Sequence, residues 1–211
     1  MNRFLQALGN TRVYALTDRR ISGLTHPRQV AVLSSSGARI IQLREKELSA
    51  REFYSQAADA IDAARQCGVH LIINDRVDIA LALKADGVHL GQDDLPVEAA
   101  RRILGPEAIV GVSTHNLKQI QRASQMPVDY VAFGPIFPTS TKKSSNLPLG
   151  IPAVREAGKF LGEMPLVAIG GITGLNGKAV LDAGAAAVAL IADCWKSEEN
   201  SPEIGSNLFQ L

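Results

Sequence analysis

A (β/α)8 barrel of the TIM type is the fold class that this sequence predicts, on three observations. Eight short apolar runs recur along the chain, each closes on a polar residue or glycine, and helical patterns separate them. The runs lack the in-out alternation of a half-solvated sheet, which suits strands covered on both faces. A chain of 211 residues with 46% hydrophobic residues holds one such barrel in a single domain, residues 1–211, with a doubly wound open sheet as the alternative.

In chain order the first run is VYALTD from Val13, and LTHPRQVAVLSSSGA follows it as a helix. RIIQLRE from Arg39 comes next. Its helix is the best marked: in SAREFYSQAADAIDAARQCG, Ser49 and Glu52 form a capping box and Gly68 supplies the stop. Between them Phe53, Ala57, Ala60, Ile61 and Ala64 recur at helical spacing. HLIIND from His70 leads to VDIALALKA, and GVHLGQ from Gly87 leads to PVEAARRILG, where Pro96 is expected at the first helical position. IVGVST from Ile109 precedes NLKQIQRASQ. YVAFGP from Tyr130 runs into PIFPTSTKKSSNLPLG, residues 135–150, which is too long for an ordinary connection and is a candidate working loop. GIPAVREAGKFLG, PLVAIGG from Pro165, LNGKAVLDAGA and AAVALIAD from Ala186 complete the series, and a polar tail occupies residues 196–211.

Composition excludes several function classes. Basic and acidic residues number 22 and 21, so no global field draws the chain to nucleic acid or to an anionic membrane, and any phosphate affinity is local. Cys67 and Cys194 fit no metal-spaced pattern; they are expected to be buried apolar side chains in a reducing compartment. The start, MNRFLQALGNTR, is too polar for a signal peptide, and the apolar run at residues 185–192 is far short of the roughly 20 residues that span a bilayer. A soluble cytoplasmic protein with small-molecule partners is expected, and a homo-oligomer is compatible with the sequence.

Two neighbouring runs end on the same chemistry, Asn74-Asp75 and Gln92-Asp93-Asp94. Active sites of such barrels lie at the C-terminal ends of strands that are about 5 Å apart, so carboxylates there can share one divalent ion. Oxygen donors with positions left for water and phosphate suit Mg²⁺. Asp94 could instead cap a helix, although Pro96 as first helical residue would make Leu95 the cap; Asp75 could instead pair with Arg76. Gln42, Arg44 and Lys46 alternate, hence share one side if the strand continues, and the two cations could grip a polyphosphate; a salt-bridge ladder with Glu45 and Glu47 is the plainer alternative. TSTKK, residues 139–143, reads as a solvated basic loop or as a flap over a site. In AIGGIT, Gly170 and Gly171 let backbone N–H groups approach phosphate, or permit tight packing. His115 is a candidate acid or base or a local hydrogen-bonding residue, and His89 reads as a satisfied residue inside the barrel. Patterns of P-loops, zincins and serine hydrolases do not occur.

Taken together, YALTD, QLREK, INDRVDIALALKADGVHLGQDD, GVSTH, DYVAFGPIFPTSTK and AIGGI resemble the thiamine phosphate synthase family over roughly residues 13–192. The resemblance implies a barrel transferase that joins hydroxymethylpyrimidine diphosphate to hydroxyethylthiazole phosphate, giving thiamine phosphate and diphosphate by a dissociative route. It implies Asp75 and Asp94 as Mg²⁺ ligands. Gln42, Arg44, Lys46, Asn74, Ser113 and Lys142 match positions that hold the pyrimidine diphosphate, with Arg44, Lys46, Lys142 and Ser113 serving the chemistry. Thr139, Thr141 and Gly171 match the thiazole phosphate site. The chain departs from the family at Ala192, where a serine is common, at KKSSNLPLG, and in its tail. The alternatives are a related thiazole tautomerase working through His115, and a non-catalytic barrel that binds thiamine phosphate.

Overall fold

The computed structural model describes residues 2–139, 141, 147–195, 209 and 211. Eight parallel strands close into a barrel in sequence order, with β8 returning to pair with β1 through Val13 and Val188. They are β1 (Val13–Leu16), β2 (Ile40–Leu43), β3 (His70–Asn74), β4 (Gly87–Leu90), β5 (Ile109–Thr114), β6 (Tyr130–Phe133), β7 (Leu166–Ile169) and β8 (Ala187–Leu190). The barrel reading therefore holds, and the open-sheet alternative falls because no strand is left at an edge.

Helix α1 (Arg3–Leu8) precedes the first strand; α2 (Arg19–Ser22) and α3 (His26–Ser35) follow it. Then come α4 (Ala50–Cys67), α5 (Val77–Leu83), α6 (Val97–Leu104), α7 (Leu117–Ala123), α8 (Gly150–Leu161) and α9 (Gly177–Asp182). The Ser49–Glu52 capping box forms at the start of α4, and Gly68 ends that helix in the left-handed conformation expected of a glycine stop. Pro96 is the cap of α6 and Val97 its first residue, one position later than expected, because the Pro96 backbone is still extended. Cys194 is buried, but Cys67 is exposed: it falls in the last turn of α4, on the face away from the strands.

The closure creates two apolar layers. Outward-facing strand residues such as Ile41, Leu71, Val110 and Val131 pack against the helices, including Phe53, Ala57 and Ile61 of α4. Inward-facing residues Tyr14, Ile40, Ile72, Ile109, Tyr130, Val167 and Ala187 fill the barrel. Helix α1, not anticipated from the sequence, stops the N-terminal end: Phe4 is fully buried, stacked on Tyr130 at 4.2 Å and edge-on to Tyr14 at 5.6 Å. The opposite end remains open. Of the tail, Phe209 is buried beside Gly37 and accepts a hydrogen bond from Thr11 through its carbonyl, while residues 196–208 and 210 lie outside the described residues. Among the described residues no helix is long and apolar enough to cross a membrane.

Candidate active site

The open end of the barrel is a cavity of about 930 Å³ at the C-terminal ends of the strands, a volume typical of small-molecule sites. Gln42, Arg44, Lys46, Asn74, Asp75, Asp94, Ser113, Thr139, Thr141 and Gly171 all line it. Lys142 falls outside the described residues.

Asp75 follows β3 and Asp94 follows β4, and the closure brings their carboxyl groups together. Asp75 has φ 63, a left-handed backbone that is costly for a residue other than glycine, in a three-residue turn closed by Arg76 N–H donating to Asn74 C=O at 2.8 Å. That turn directs Asp75 to the cavity and not to Arg76, which grips Asp78 through two bonds of 2.8 and 2.5 Å. Asp94 caps no helix; its Oδ2 accepts from Gly91 N–H at 2.6 Å and closes its own loop. Burial pushes the Asp94 carboxyl above its usual range, and the neighbouring Asp75 carboxylate adds to the rise against the opposing pull of Gly91 N–H and Lys46. Two crowded carboxyls are a place where a divalent cation would relieve repulsion.

Strand β2 ends at Leu43, so Arg44 and Lys46 project from a loop and not from a continued strand. The loop is nevertheless fixed. Arg44 Nη1 donates to Asp18 Oδ2 at 2.9 Å, and Asp18 also accepts from the backbone of Arg20 and Ile21 at the start of α2. Glu45 Oε1 accepts from the N–H groups of Lys46 and Glu47 at 2.7 and 2.8 Å. Its Oε2 lies 3.1 Å from Nε2 of fully buried His26, whose Nδ1 lies 3.0 Å from Thr17 Oγ1. Thr17 Oγ1 in turn accepts from Arg44 N–H at 3.1 Å. Glu45 is thus a brace beneath the loop, not a rung in a ladder with Lys46. Lys46 Nζ is ion-paired with Asp75 Oδ2.

Among the described residues, the other side of the cavity is made largely of backbone and hydroxyls. Ile136 N–H donates to Ile169 C=O and Phe137 N–H to Gly170 C=O, both at 2.9 Å, which straps the loop after β6 onto the end of β7. Gly170 and Gly171 have φ 98 and 64, and a Cβ on Gly171 would lie 2.4 Å from Pro138 O. Tight packing is therefore one of their uses. Asp193 Oδ2 accepts from Gly174 N–H at 2.8 Å behind them, and Ala192 lines the cavity nearby. His115 Nδ1 donates to Gly134 C=O at 2.7 Å, the local hydrogen-bonding alternative raised by the sequence.

Comparison with known proteins decides the family. The sequence model described as thiamine monophosphate synthase matches residues 13–194. The chain belongs to the thiamine monophosphate synthase family. Family membership makes it a transferase. A thiamine-phosphate synthase from Clostridium novyi is 40% identical over 191 residues, covering 90% of this chain and 93% of that one. A second, from Chlorobium luteolum, is 49% identical over 167 residues, covering 79% and 77%. The solved structure of thiamine phosphate pyrophosphorylase from Pyrococcus furiosus superposes with a TM-score of 0.80 at 33% identity, covering 90% of this chain and 89% of that chain.

Within this family frame, the sequence does not single out Asp18, His26, Tyr14 or Tyr130, and offers Glu45 only as a salt-bridge partner. A buried polar residue inside an apolar segment was the available signal. His26 opens a helix that buries it completely, and Tyr14 and Tyr130 each stand in strands otherwise apolar.

Proposed function

We propose that the chain is a Mg²⁺-dependent thiamine-phosphate synthase that joins hydroxymethylpyrimidine diphosphate to hydroxyethylthiazole phosphate. The observation that supports this most is the meeting of two crowded carboxyls with Arg44 and Lys46 on one rim of a barrel mouth. Asp75 and Asp94 would hold the Mg²⁺; the carboxylate oxygens suit a hard cation, and their mutual repulsion favours one. When bound there, Mg²⁺ supplies positive charge against the diphosphate.

The chain's own residues do the rest. Arg44, already oriented by Asp18, presents its guanidinium fork to phosphate oxygens, and Lys46 exchanges its Asp75 partner for the substrate. Lys142 adds a third cation. These groups stabilise the charge that grows on diphosphate as the pyrimidine CH2–O bond breaks, in a dissociative step. Gln42, Asn74 and Ser113 hold the pyrimidine, and Thr139, Thr141 and Gly171 hold the thiazole phosphate so that the ring nitrogen faces the cationic carbon. That nitrogen attacks through a lone pair and has no proton to lose, so no general base is needed. A cytoplasmic location belongs to the same reading.

The test is diphosphate release on mixing the purified protein with both substrates and Mg²⁺, omitting each in turn. Release that needs all three, with thiamine phosphate formed, supports the proposal. Folded protein that binds either substrate without release would return the tautomerase and binding-protein alternatives.

A further inference from the structure

The floor of the mouth is closed by a chain of buried hydrogen bonds that the reaction scheme above does not use. Gln42 Nε2 lies 3.1 Å from Tyr14 Oη, which lies 3.0 Å from Tyr130 Oη. Tyr130 Oη lies 2.8 Å from His89 Nδ1, and His89 Nε2 lies 2.8 Å from Ser113 Oγ. The run crosses the inside of the barrel from β2 to β5 and joins two cavity-lining residues, Gln42 and Ser113, through Tyr14, Tyr130 and His89. Both tyrosines are almost wholly inaccessible to water, and burial raises both phenols far above their usual range, so each remains a protonated O–H. Gly111 makes the arrangement sterically possible: a Cβ there would lie 2.1 Å from Tyr130 Cζ.

Distances alone leave the donor open at the tyrosine and imidazole contacts, and one proton assignment runs through all of them from Gln42. An amide nitrogen can only donate, so Tyr14 Oη accepts from Gln42, and in this assignment it gives its own proton to Tyr130. Tyr130 then donates to His89 Nδ1. In this assignment that nitrogen carries no proton, and the ring proton is on Nε2 and points to Ser113 Oγ. Ser113 accepts there and keeps its own O–H for the cavity. Gln42 commits one N–H of its amide to Tyr14, which orients its carbonyl oxygen as an acceptor.

We propose that Tyr14, Tyr130 and His89 are positioning residues that polarise the floor of the mouth, making Ser113 a hydrogen-bond donor and Gln42 an acceptor. An aminopyrimidine offers the complementary pair, an amino donor and ring-nitrogen acceptors. The relay therefore selects the pyrimidine half of the reaction and orients it before the leaving group departs. The substrate named here rests on the synthase reading; the wiring does not.

Two measurements test the inference. The first is a double-mutant cycle between Tyr130→Phe and Ser113→Ala, with KM for each substrate and kcat measured separately. Tyr130→Phe retains the ring that stacks on Phe4 and removes only the hydroxyl; it should raise KM for the pyrimidine diphosphate roughly ten-fold and leave KM for the thiazole phosphate unchanged. In the Ser113→Ala background the same change should have almost no further effect. Equal losses in both backgrounds would overturn the proposal, since a merely structural tyrosine acts independently of Ser113.

The second measurement is nitrogen NMR of labelled imidazoles in the parent protein, with His89→Gln identifying the His89 signals. Protonated Nε2 and unprotonated Nδ1 are expected at His89, and His115, which donates through Nδ1, supplies the opposite pattern as an internal control. A proton on His89 Nδ1 would overturn the proposed direction even if turnover is normal. Absence of turnover with the expected tautomer would overturn the synthase reading and leave the wiring standing.

Discussion

The two rims of the barrel mouth face one cavity with different materials. On the β2–β4 rim, charged side chains line the cavity and the loop that carries two of them is braced from behind: Arg44 by Asp18, the Lys46 and Glu47 backbone by Glu45, and Glu45 by His26. On the β6–β7 rim the described residues give a wall of main chain and small hydroxyls, strapped by two backbone hydrogen bonds and closed by glycines that leave no room for a Cβ. A partly desolvated charge needs a partner to keep it in one place, so the first rim depends on second-row residues. Backbone needs only the correct φ and enough space. The rims should therefore fail in different ways when mutated.

The largest effect is expected at the carboxyl pair. Asp94→Ala should lower kcat/KM by about 100-fold or more and abolish the response to Mg²⁺, since even outer-shell changes at metal sites cost roughly 10- to 100-fold. Diphosphate release across a Mg²⁺ titration checks it, and an unchanged rate and titration would overturn the proposed metal role of Asp94. Gly171→Ala comes next. The left-handed backbone and the Pro138 contact predict a loss of about 2 kcal/mol in stability, together with a roughly ten-fold rise in KM for thiazole phosphate alone. If both substrates weakened equally, the division into two rims would fail.

Glu45→Gln is the mirror-image test. Losing the carboxylate brace should raise KM for the pyrimidine diphosphate several-fold, up to about ten-fold, while thiazole phosphate binding stays unchanged. Ala192→Ser should produce a smaller change of the opposite sign, lowering KM for thiazole phosphate by about three-fold through one added hydroxyl donor. No change would show that the backbone of this rim already satisfies the phosphate.

The smallest effect concerns pH. Burial depresses His26 below its usual range despite the Glu45 hydrogen bond, so the unfolded chain takes up that proton first as pH falls. Stability is then fully present above about pH 6.5 and declines below it. Glu45 follows at lower pH: burial raises its carboxyl, but bonds from Glu47, His26 and Lys46 outweigh this and hold it below its usual range. Its contribution is present above the ordinary carboxylate range and lost as pH falls through the depressed value. His70 works in the opposite sense, raised chiefly by its Asp86 hydrogen bond, so its contribution is lost as pH rises. A His26→Gln variant keeps His70 and should show a flatter fall of Tm between about pH 7 and 5.5 than the parent. An identical slope would show that His26 does not couple to stability.

Legibility in the sequence followed the range of the interaction. The Ser49–Glu52 cap, the Gly68 stop and the eight apolar runs are local, and they are where the sequence placed them. Pro96 was displaced by one residue because the preceding loop, tied by Asp94 to Gly91, carries extended backbone into the cap. Alternation puts Arg44 and Lys46 on one side only if the strand continues, but β2 ends at Leu43, where its pairing with β3 ends. They still line the mouth with Gln42, Asn74, Asp75 and Asp94, since a turn at the end of a barrel strand has only that rim to occupy. Cys67 was read as buried because spacing alone does not show which way the last turn of a helix faces.

By itself, the sequence determined the order of strands and helices and the acidic, basic and glycine chemistry at the strand ends. Periodicity and capping are set by neighbours a few residues apart, so no tertiary information is needed to read them. Tertiary structure alone decided which charge meets which. Lys46 with Asp75, Glu45 with His26, and Tyr14 with Tyr130 join residues 29, 19 and 116 positions apart. Such pairs arise only when strands align in register and the barrel closes, because that step sets which inward side chains share a layer and which loops share a rim.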